Sequence, residues 1–364
     1  MSVWMVYDVM KKSLQCFGQI LAMISLNPCK DFAHSLQGSK WLANHYTSFR
    51  FGDKMRSIPY LRKLYNIWGH YNCRFRKNHY LCSMIVVADA GSTKTEWVIG
   101  GRRVTHEGIN PYHQDEKEIV DILKGTFDEM SDEVPTHIYY YGAGVRETMI
   151  PKIRRCLETA LSKRTTADKA PLEIDCYSDV VGAARALFSD DAGVACILGT
   201  GSNACLYDGN DITSNVPPLG YILGDEGSGA VLGRKFLNAL FKGRLNEKIR
   251  RAFEDTFHQR EDDVISSVYK DGSPARYLAS IAPFIHEYRT VDEVRTIIID
   301  NFREFIRFNV LPIYNGERVG AVGGVAFHFE EELRAAAAME GIRIDMVLQK
   351  PIDKLAEYHK AEQA

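Results

Sequence analysis

The sequence predicts an α/β protein made of two related halves, and three observations carry that reading. A pair of strands around a Gly/Ser/Thr turn occurs at Met84–Ile99 and again at Val194–Tyr207. Each pair opens the same order of elements, a strand meander followed by helix, strand and helix, which is the count of a duplicated α/β fold. Composition also breaks sharply near Met84. Residues 1–83 hold twelve Lys/Arg, three acidic residues (Asp8, Asp31, Asp53) and no Glu, whereas the rest of the chain holds 33 basic and 44 acidic residues. The overall charge of −2 over 364 residues conceals this split, and the length suits two domains of about 150 residues each.

Several classes are set aside by composition. Eight cysteines (16, 29, 73, 82, 156, 176, 196, 205) show no CxxC pair, which fits reduced thiols in the cytoplasm rather than a disulfide framework. No apolar run reaches the roughly 18–20 residues of a membrane span. The opening MSVWMVYDVMKK lacks the order of a signal peptide. Residues 1–83 stay unassigned: the missing Glu and the rich aromatics resemble translated upstream sequence with Met84 as the natural start. The alternative is an accessory basic segment of nucleic-acid or membrane-surface type.

Taken in order, strands are expected at 84–89, 94–100 and 102–107, with Gly100-Gly101 as a turn, then a Gly108-Ile109-Asn110-Pro111 loop and an amphipathic helix over 115–130. A strand at 137–141 runs into Gly142-Ala143-Gly144, and Pro151 starts a helix to Leu161. A strand at 172–176 leads to Ser178-Asp179, which opens a helix to Phe188. After the second hairpin, Pro217–Gly229 reads as a Gly-rich loop feeding a helix at 230–241. Helical periods follow at 246–257, 260–269, 275–289 and 291–310, then a strand at 318–322, a helix at 325–340, a strand at 343–348 and a closing helix at 352–359. The boundaries follow: a first domain over 84–190, completed by about 343–364, and a second over 191–342.

A Gly/Ser/Thr turn between strands gathers backbone N–H groups around one point, which suits a phosphate. Asp89 beside the first turn would repel phosphate unless a divalent cation lay between them, pointing to magnesium; a tight hairpin with a capping Asp is the ordinary alternative. Asp179 at a strand-to-helix junction is the candidate general base, since a helix N-terminus stabilises a carboxylate; it is equally placed for N-capping. Asp225 and Glu226 can grip sugar hydroxyls or a hydrated metal, or cap the following helix. Asn110 and Asn203 offer donor and acceptor to a polyol, or serve as turn residues. Lys94 can neutralise phosphate or simply be solvated, and Gly320, Gly323 and Gly324 permit close backbone approach. His113, His137 and His286 show no metal-ligand spacing.

Together DAGSTKTEW, YSDVVGAARA, ILGTGSNACL, LGYILGDEGSG and VGAVGGVAF resemble, in order, the motifs of the BadF/BadG/BcrA/BcrD-type ATPases. That family includes N-acetylglucosamine kinases and lies within the actin-like sugar-kinase superfamily. The resemblance runs from Met84 to the C-terminus. It implies a duplicated ribonuclease H-like (actin-like ATPase) fold, two domains around a nucleotide cleft, with ATP and Mg²⁺ as cofactors. By the same resemblance Asp89, Gly91, Ser92, Thr93 and Lys94 form the first phosphate motif, and Asp89 holds hydrated magnesium. Gly199, Thr200, Gly201 and Ser202 form the second, and Gly323-Gly324 the adenosine motif. Asp179 falls on the catalytic base, and Asn110, Asn203 and Asp225 fall on sugar-binding positions. The first motif departs from the family's run of glycines at Ala90 and Ser92, both small.

The function so implied is ATP-dependent phosphorylation of an amino sugar, foremost N-acetylglucosamine at its 6-hydroxyl, by a cytoplasmic protein, in the family's habit a homodimer, with no nucleic-acid or membrane partner. Two rivals stand beside it. One is an ATPase that activates an iron–sulfur dehydratase, which needs cysteine thiolates at a dimer interface. The other is a sugar-sensing regulator whose DNA-binding part would have to be residues 1–83.

Overall fold

Side-chain alternation along β1 (Ile85–Ala90) sets the frame of the first half. Val86, Ala88 and Ala90 face one hydrophobic cluster and Val87 faces another, so the strand is covered on both sides. β1 pairs antiparallel with β2 (Lys94–Ile99), and β2 with β3 (Arg102–Glu107). Its other edge pairs in parallel with β4 (His137–Gly142), which pairs in parallel with β5 (Glu173–Ser178). In the second sheet β6 (Gly193–Leu198) is antiparallel to β7 (Ser202–Tyr207), and β7 to β8 (Ile212–Val216). β6 is parallel to β9 (Val319–Val322), and β9 to β10 (Ile344–Leu348). The strand orders β3-β2-β1-β4-β5 and β8-β7-β6-β9-β10 are the same topology used twice. These facts come from a computed structural model that describes residues 84–91, 93–129, 135–162, 171–270 and 272–362. The basic segment 1–83 and Ser92 lie outside the described residues, so neither expectation about them is addressed.

Helices α1 (Glu116–Asp128) and α2 (Ile150–Leu161) cover the outer face of the first sheet. Ile119, Leu123, Phe127, Ile153 and Leu157 join Val86, Ala88 and Trp97 in one cluster. α1 starts on a reciprocal capping box, with Glu118 N–H donating to Asp115 Oδ1 at 2.8 Å and Asp115 N–H to Glu118 Oε2 at 2.9 Å.

α3 (Asp179–Phe188) lies between the two sheets. Ala186 packs with Val87, Tyr139 and Tyr141 of the first, while Ala184, Leu187 and Phe188 pack with Ala195, Cys205 and Tyr207 of the second. Small residues permit this double contact: a Cβ on Gly182 would sit 3.0 Å from the Tyr141 ring.

After β8 come a single helical turn α4 (Gly220–Leu223) and the long α5 (Gly229–Phe241), capped by Ser228, whose Oγ accepts from Val231 N–H at 3.1 Å. The turn α4 falls inside what the sequence predicts as loop. α6 (Glu247–Phe257) and α7 (Glu261–Tyr269) match the predicted periods. The helix expected over 275–289 is instead α8 (Pro274–Ala279) and α9 (Ala282–Glu287). Pro283 in the first turn of α9 has no N–H to donate back to Ala279, which breaks a continuous ladder. The period at 291–310 becomes α10 (Asp292–Phe305) followed by a π turn over Ile306–Val310. The period at 325–340 divides at Phe329 into α11 (Gly324–His328) and α12 (Glu330–Met339). α5, α10 and α12 cover the far face of the second sheet through Phe236, Leu240, Ile298, Phe302 and Leu333.

The C-terminal residues divide between the two sheets. Residues 343–364 do not return to the first half as a block, because β10 pairs with β9 and belongs to the second sheet. Only α13 (Ile352–Glu362) returns, placing Ile352, Leu355 and Ala356 against Val87, Tyr139 and Tyr141. The parallel register beside β9 buries Ile344, which fixes the strand there before the chain crosses.

The crowding at α3 predicts opposite outcomes for two helical glycines. Gly182→Val should destabilise by about 1–3 kcal/mol through overpacking against Tyr141. Gly125→Ala at an exposed position of α1, where a Cβ meets nothing within 4 Å, should stabilise by about 0.5–1 kcal/mol. Urea titration of both variants checks the signs.

Candidate active site

Asp89, the penultimate residue of β1, lies directly across the antiparallel ladder from Glu96 of β2. The turn joining these strands is tied down from three sides. Gly91 N–H donates to the Lys94 carbonyl at 3.0 Å, and Ile109 N–H to the Gly91 carbonyl at 3.2 Å. Gly108 N–H reaches the Thr93 carbonyl at 3.2 Å, and Ala143 N–H the Ala90 carbonyl at 2.8 Å. The Gly108–Pro111 and Gly142–Gly144 loops thus buttress the turn. Asn110 sits between them: its Oδ1 accepts from Tyr112 N–H at 3.1 Å, its N–H donates to Gln114 Oε1 at 2.8 Å, and Gly144 approaches so closely that a Cβ would fall 2.9 Å from that Oδ1.

Two neighbouring carboxylates act on Asp89 here. Asp89 is pushed up to about 7, first by withdrawal of its carboxyl from water and then by the charges of Asp179 and Glu96, with Lys94 and Lys350 opposing. Glu96 is only 3 % exposed; it pairs with Lys350 and lies 3.5 Å from Lys94. Asp179 is raised to about 6 by burial, partly offset by the α3 backbone, where Val180 N–H donates to its Oδ1 at 3.0 Å.

Ser178 occupies the N-cap position, yet no hydroxyl cap forms, and Asp179 is the first residue of the helix. Its carboxylate therefore sits at the positive end of α3 without serving as a conventional cap. On the other side its charge acts on Cys205 of β7, whose Sγ lies 4.0 Å from the Val180 carbonyl oxygen. Asp179 thus stands between the strand that carries Asp89 and the strand that leaves the second hairpin.

The second turn is closed by Gly199 N–H donating to the Gly201 carbonyl at 2.9 Å. The start of α5 docks onto it: Gly229 N–H reaches the Gly199 carbonyl at 2.8 Å and Ala230 N–H the Thr200 carbonyl at 3.2 Å. Asp225 adopts φ +52° and lays its carboxylate against Gly201, where a Cβ would fall 3.1 Å from Oδ2. Burial raises this group to about 6, with Glu226 adding to the rise and backbone N–H groups of Ser202 and Gly220 opposing it. Glu226 itself accepts from Asn309 Nδ2 at 3.1 Å. Asn203 Oδ1 accepts from Ala204 N–H at 2.9 Å and from Asn215 Nδ2 at 2.8 Å. Behind the turn, Gly323 has φ +125°, and any Cβ there would lie 2.2 Å from the Leu198 carbonyl oxygen. Its N–H donates to Leu348 at 2.9 Å, and Gly324 begins α11.

The structure therefore draws the sequence candidates into adjoining groups. Asp89, Lys94 and Asp179 form one electrostatic cluster; Gly199, Thr200, Gly201, Ser202, Asn203 and Asp225 line the second turn; Gly323 and Gly324 back it. Gly91, Thr93 and Asn110 belong to the buttressed first turn, and Ser92 lies outside the described residues. Sequence reasoning missed Glu96, Lys350 and Asn215. Glu96 carried a signal, an acidic residue inside an apolar strand whose hairpin register places it opposite Asp89. Lys350 and Asn215 carried none, because their roles depend on the crossing to α13 and on the β7–β8 register. Hollows lined by Arg234, Lys235 and Asn238, and by Asp190, Lys354 and Tyr358, contain none of these groups.

The acidic cluster suits a hydrated divalent cation. Two lysines oppose three carboxylates, leaving a deficit of positive charge around Asp89. Among the described residues no group of three or more His, Cys, Asp or Glu forms a direct metal cage. Mg²⁺ commonly needs none, since it keeps several waters and uses one or two carboxylates beside phosphate.

Among solved structures, a Porphyromonas gingivalis protein described as a candidate N-acetylglucosamine kinase is 39 % identical, covering 77 % of this chain and 100 % of that one with a TM-score of 0.73. A Chromobacterium violaceum protein with the same description is 15 % identical over 76 % of this chain and 98 % of that one, with a TM-score of 0.55, and shows the shared fold alone. No family model and no curated protein matches the chain. With 39 % identity along the whole of the first structure and two sheets of one topology, each carrying such a hairpin turn, the chain belongs to the actin-like sugar-kinase superfamily.

Proposed function

We propose that the protein transfers the γ-phosphoryl group of ATP to the primary hydroxyl of an amino sugar, with N-acetylglucosamine the first candidate, as a member of the BadF/BadG/BcrA/BcrD branch. The observation that carries this reading is Asp179, held at the start of the helix shared by both sheets, beside Asp89 of one hairpin and Cys205 of the other. Phosphoryl transfer asks chiefly for positioning and charge neutralisation, and this arrangement supplies both. The backbone of the two turns cradles phosphates, and Lys94 adds positive charge. Asp89 would hold hydrated Mg²⁺, which supplies charge neutralisation at the phosphates. Asp225 and Asn203 orient the sugar from the second turn, and Asn110 from the first. Asp179 accepts the proton of the attacking hydroxyl. Closure of the two halves as domains about α3 and α13 would exclude water, the competing nucleophile. An enzyme drawing on ATP and a free sugar belongs in the cytoplasm.

The iron–sulfur alternative finds less support. Cys156, Cys176, Cys196 and Cys205 are buried in the hydrophobic core, and burial pushes Cys176 and Cys205 up to about 12. Cluster ligands must be thiolates, which calls for the opposite shift. Among the described residues no helix is long and apolar enough to cross a membrane.

Incubation with ATP and a panel of amino sugars, reading ADP release and product mass, tests the activity; a panel that yields no sugar phosphate contradicts it. Asp179→Asn should keep ATP affinity within about twofold while lowering kcat by about 10²–10⁴-fold. Wild-type turnover by that variant would remove Asp179 as base.

The raised value of Asp179 gives two pH signatures of opposite sense. As a base it must be ionised in the free enzyme, so kcat/KM should fall with unit slope as pH drops through about 6. As an acid with a raised folded-state value, it favours folding below its unfolded value near 3.8, and that contribution is lost as pH rises through about 6. Asp179→Asn should therefore match or exceed wild-type stability at pH 8, by up to roughly 3 kcal/mol at about 1.4 kcal/mol per pH unit, with the gap closing toward pH 4. Thermal melts across that range read the difference.

A further inference from the structure

A side-chain amide can present either its oxygen or its NH₂ to a ligand, and the surroundings of Asn203 decide which. The Ala204 carbonyl can only accept, so Asn215, which approaches it at 2.9 Å, must offer Nδ2 there. The same Nδ2 donates to Asn203 at 2.8 Å, and Ala204 N–H, which can only donate, reaches the same Asn203 atom at 2.9 Å. That atom is therefore Oδ1. Two donors from different strands hold the oxygen inward, and no described residue accepts from Asn203 Nδ2.

The direction of that NH₂ follows from the sheet. Along β7, Asn203, Cys205 and Tyr207 share a face, and Cys205 and Tyr207 of that face pack on α3. Asn203 lies about 7 Å along the strand from Cys205, whose Sγ touches the Val180 carbonyl next to Asp179. In the other direction along the chain, Gly201 bears the Asp225 carboxylate. The Cys205–Asn215 pairing of β7 and β8 brings Asn215 to this face.

We propose that Asn215 is a positioning residue that locks the Asn203 amide with its NH₂ toward the sugar, so that this site takes an acceptor oxygen, above all an acylamino carbonyl, and turns away an ammonium group. The inference rests on the kinase reading above and names a determinant of its substrate class. A hydroxyl both donates and accepts and is tolerated at either orientation. An acyl carbonyl only accepts and an ammonium only donates, so the locked amide separates an N-acetylated sugar from its free amine. Asp225, an acceptor, is complementary to it and takes a hydroxyl donor.

Replacing the lock by its inverse provides the test. In Asn215→Asp the carboxylate cannot donate to Asn203 and attracts the NH₂ instead; only Ala204 N–H then holds Oδ1, so the amide loses its single orientation and shows its oxygen to the ligand part of the time. Initial rates at saturating ATP are measured on the preferred N-acetylated sugar and on its free amine, for wild type, Asn215→Asp and Asn215→Ala. The ratio of kcat/KM between the two sugars should fall at least tenfold in Asn215→Asp. In Asn215→Ala, KM for the acetylated sugar should rise severalfold with an intermediate ratio, and KM for ATP should hold within twofold in both variants. A merely structural role would not shift the ratio between two sugars. A ratio within twofold of wild type in both variants, or an equal rise in KM for ATP and sugar, overturns the inference alone. Wild-type enzyme inactive on the whole amino-sugar panel overturns the kinase reading and the inference with it.

Discussion

The electrostatic contact between Asp89 and Asp179 is the constraint from which the rest of the site follows. Each belongs to a different element, one to the central strand of the first sheet and one to the helix beside it, and each has its carboxyl withdrawn from water. There the charge of Asp179 raises the proton affinity of Asp89, an arrangement that folding alone would not favour. It persists because α3 is fixed on both sides, by Tyr141 against Gly182 and by Cys205 against Val180. The same helix that holds the two sheets together therefore also carries a carboxylate that chemistry can use.

Glu96 and Lys350 extend this cluster toward the crossing between the halves. Lys350 follows the last strand of the second sheet and precedes the helix that returns to the first. Its ion pair with Glu96 thus links the first hairpin to the connection about which the halves would move. Burying a carboxylate without such a partner is strongly unfavourable, which explains why Glu96 and Lys350 occur together although neither belongs to a recognisable motif.

Much of this was legible in the sequence, for physical reasons that differ from residue to residue. The hairpins were visible because Gly, Ser and Thr between apolar runs have few other uses. Asp179 was visible because a strand ending on Ser-Asp before a helical period has one geometry, although only the structure shows that the serine leaves the helix uncapped by its hydroxyl. Periodicity overran the breaks at Pro283 and Phe329, since apolar spacing continues through a kink that backbone hydrogen bonding does not. The place of β10 was hidden because its five residues suit either sheet. Asn215 was hidden for another reason: its role is to donate to two atoms on a neighbouring strand, and no local pattern encodes a cross-strand register.

A crystal structure of the protein with Mg²⁺, a non-hydrolysable ATP analogue and N-acetylglucosamine would test the central claim most directly. The account predicts the triphosphate resting on both turns, with the sugar's primary hydroxyl within hydrogen-bond reach of Asp179. A sugar bound away from Asp179, or a triphosphate that touches neither turn, would contradict it.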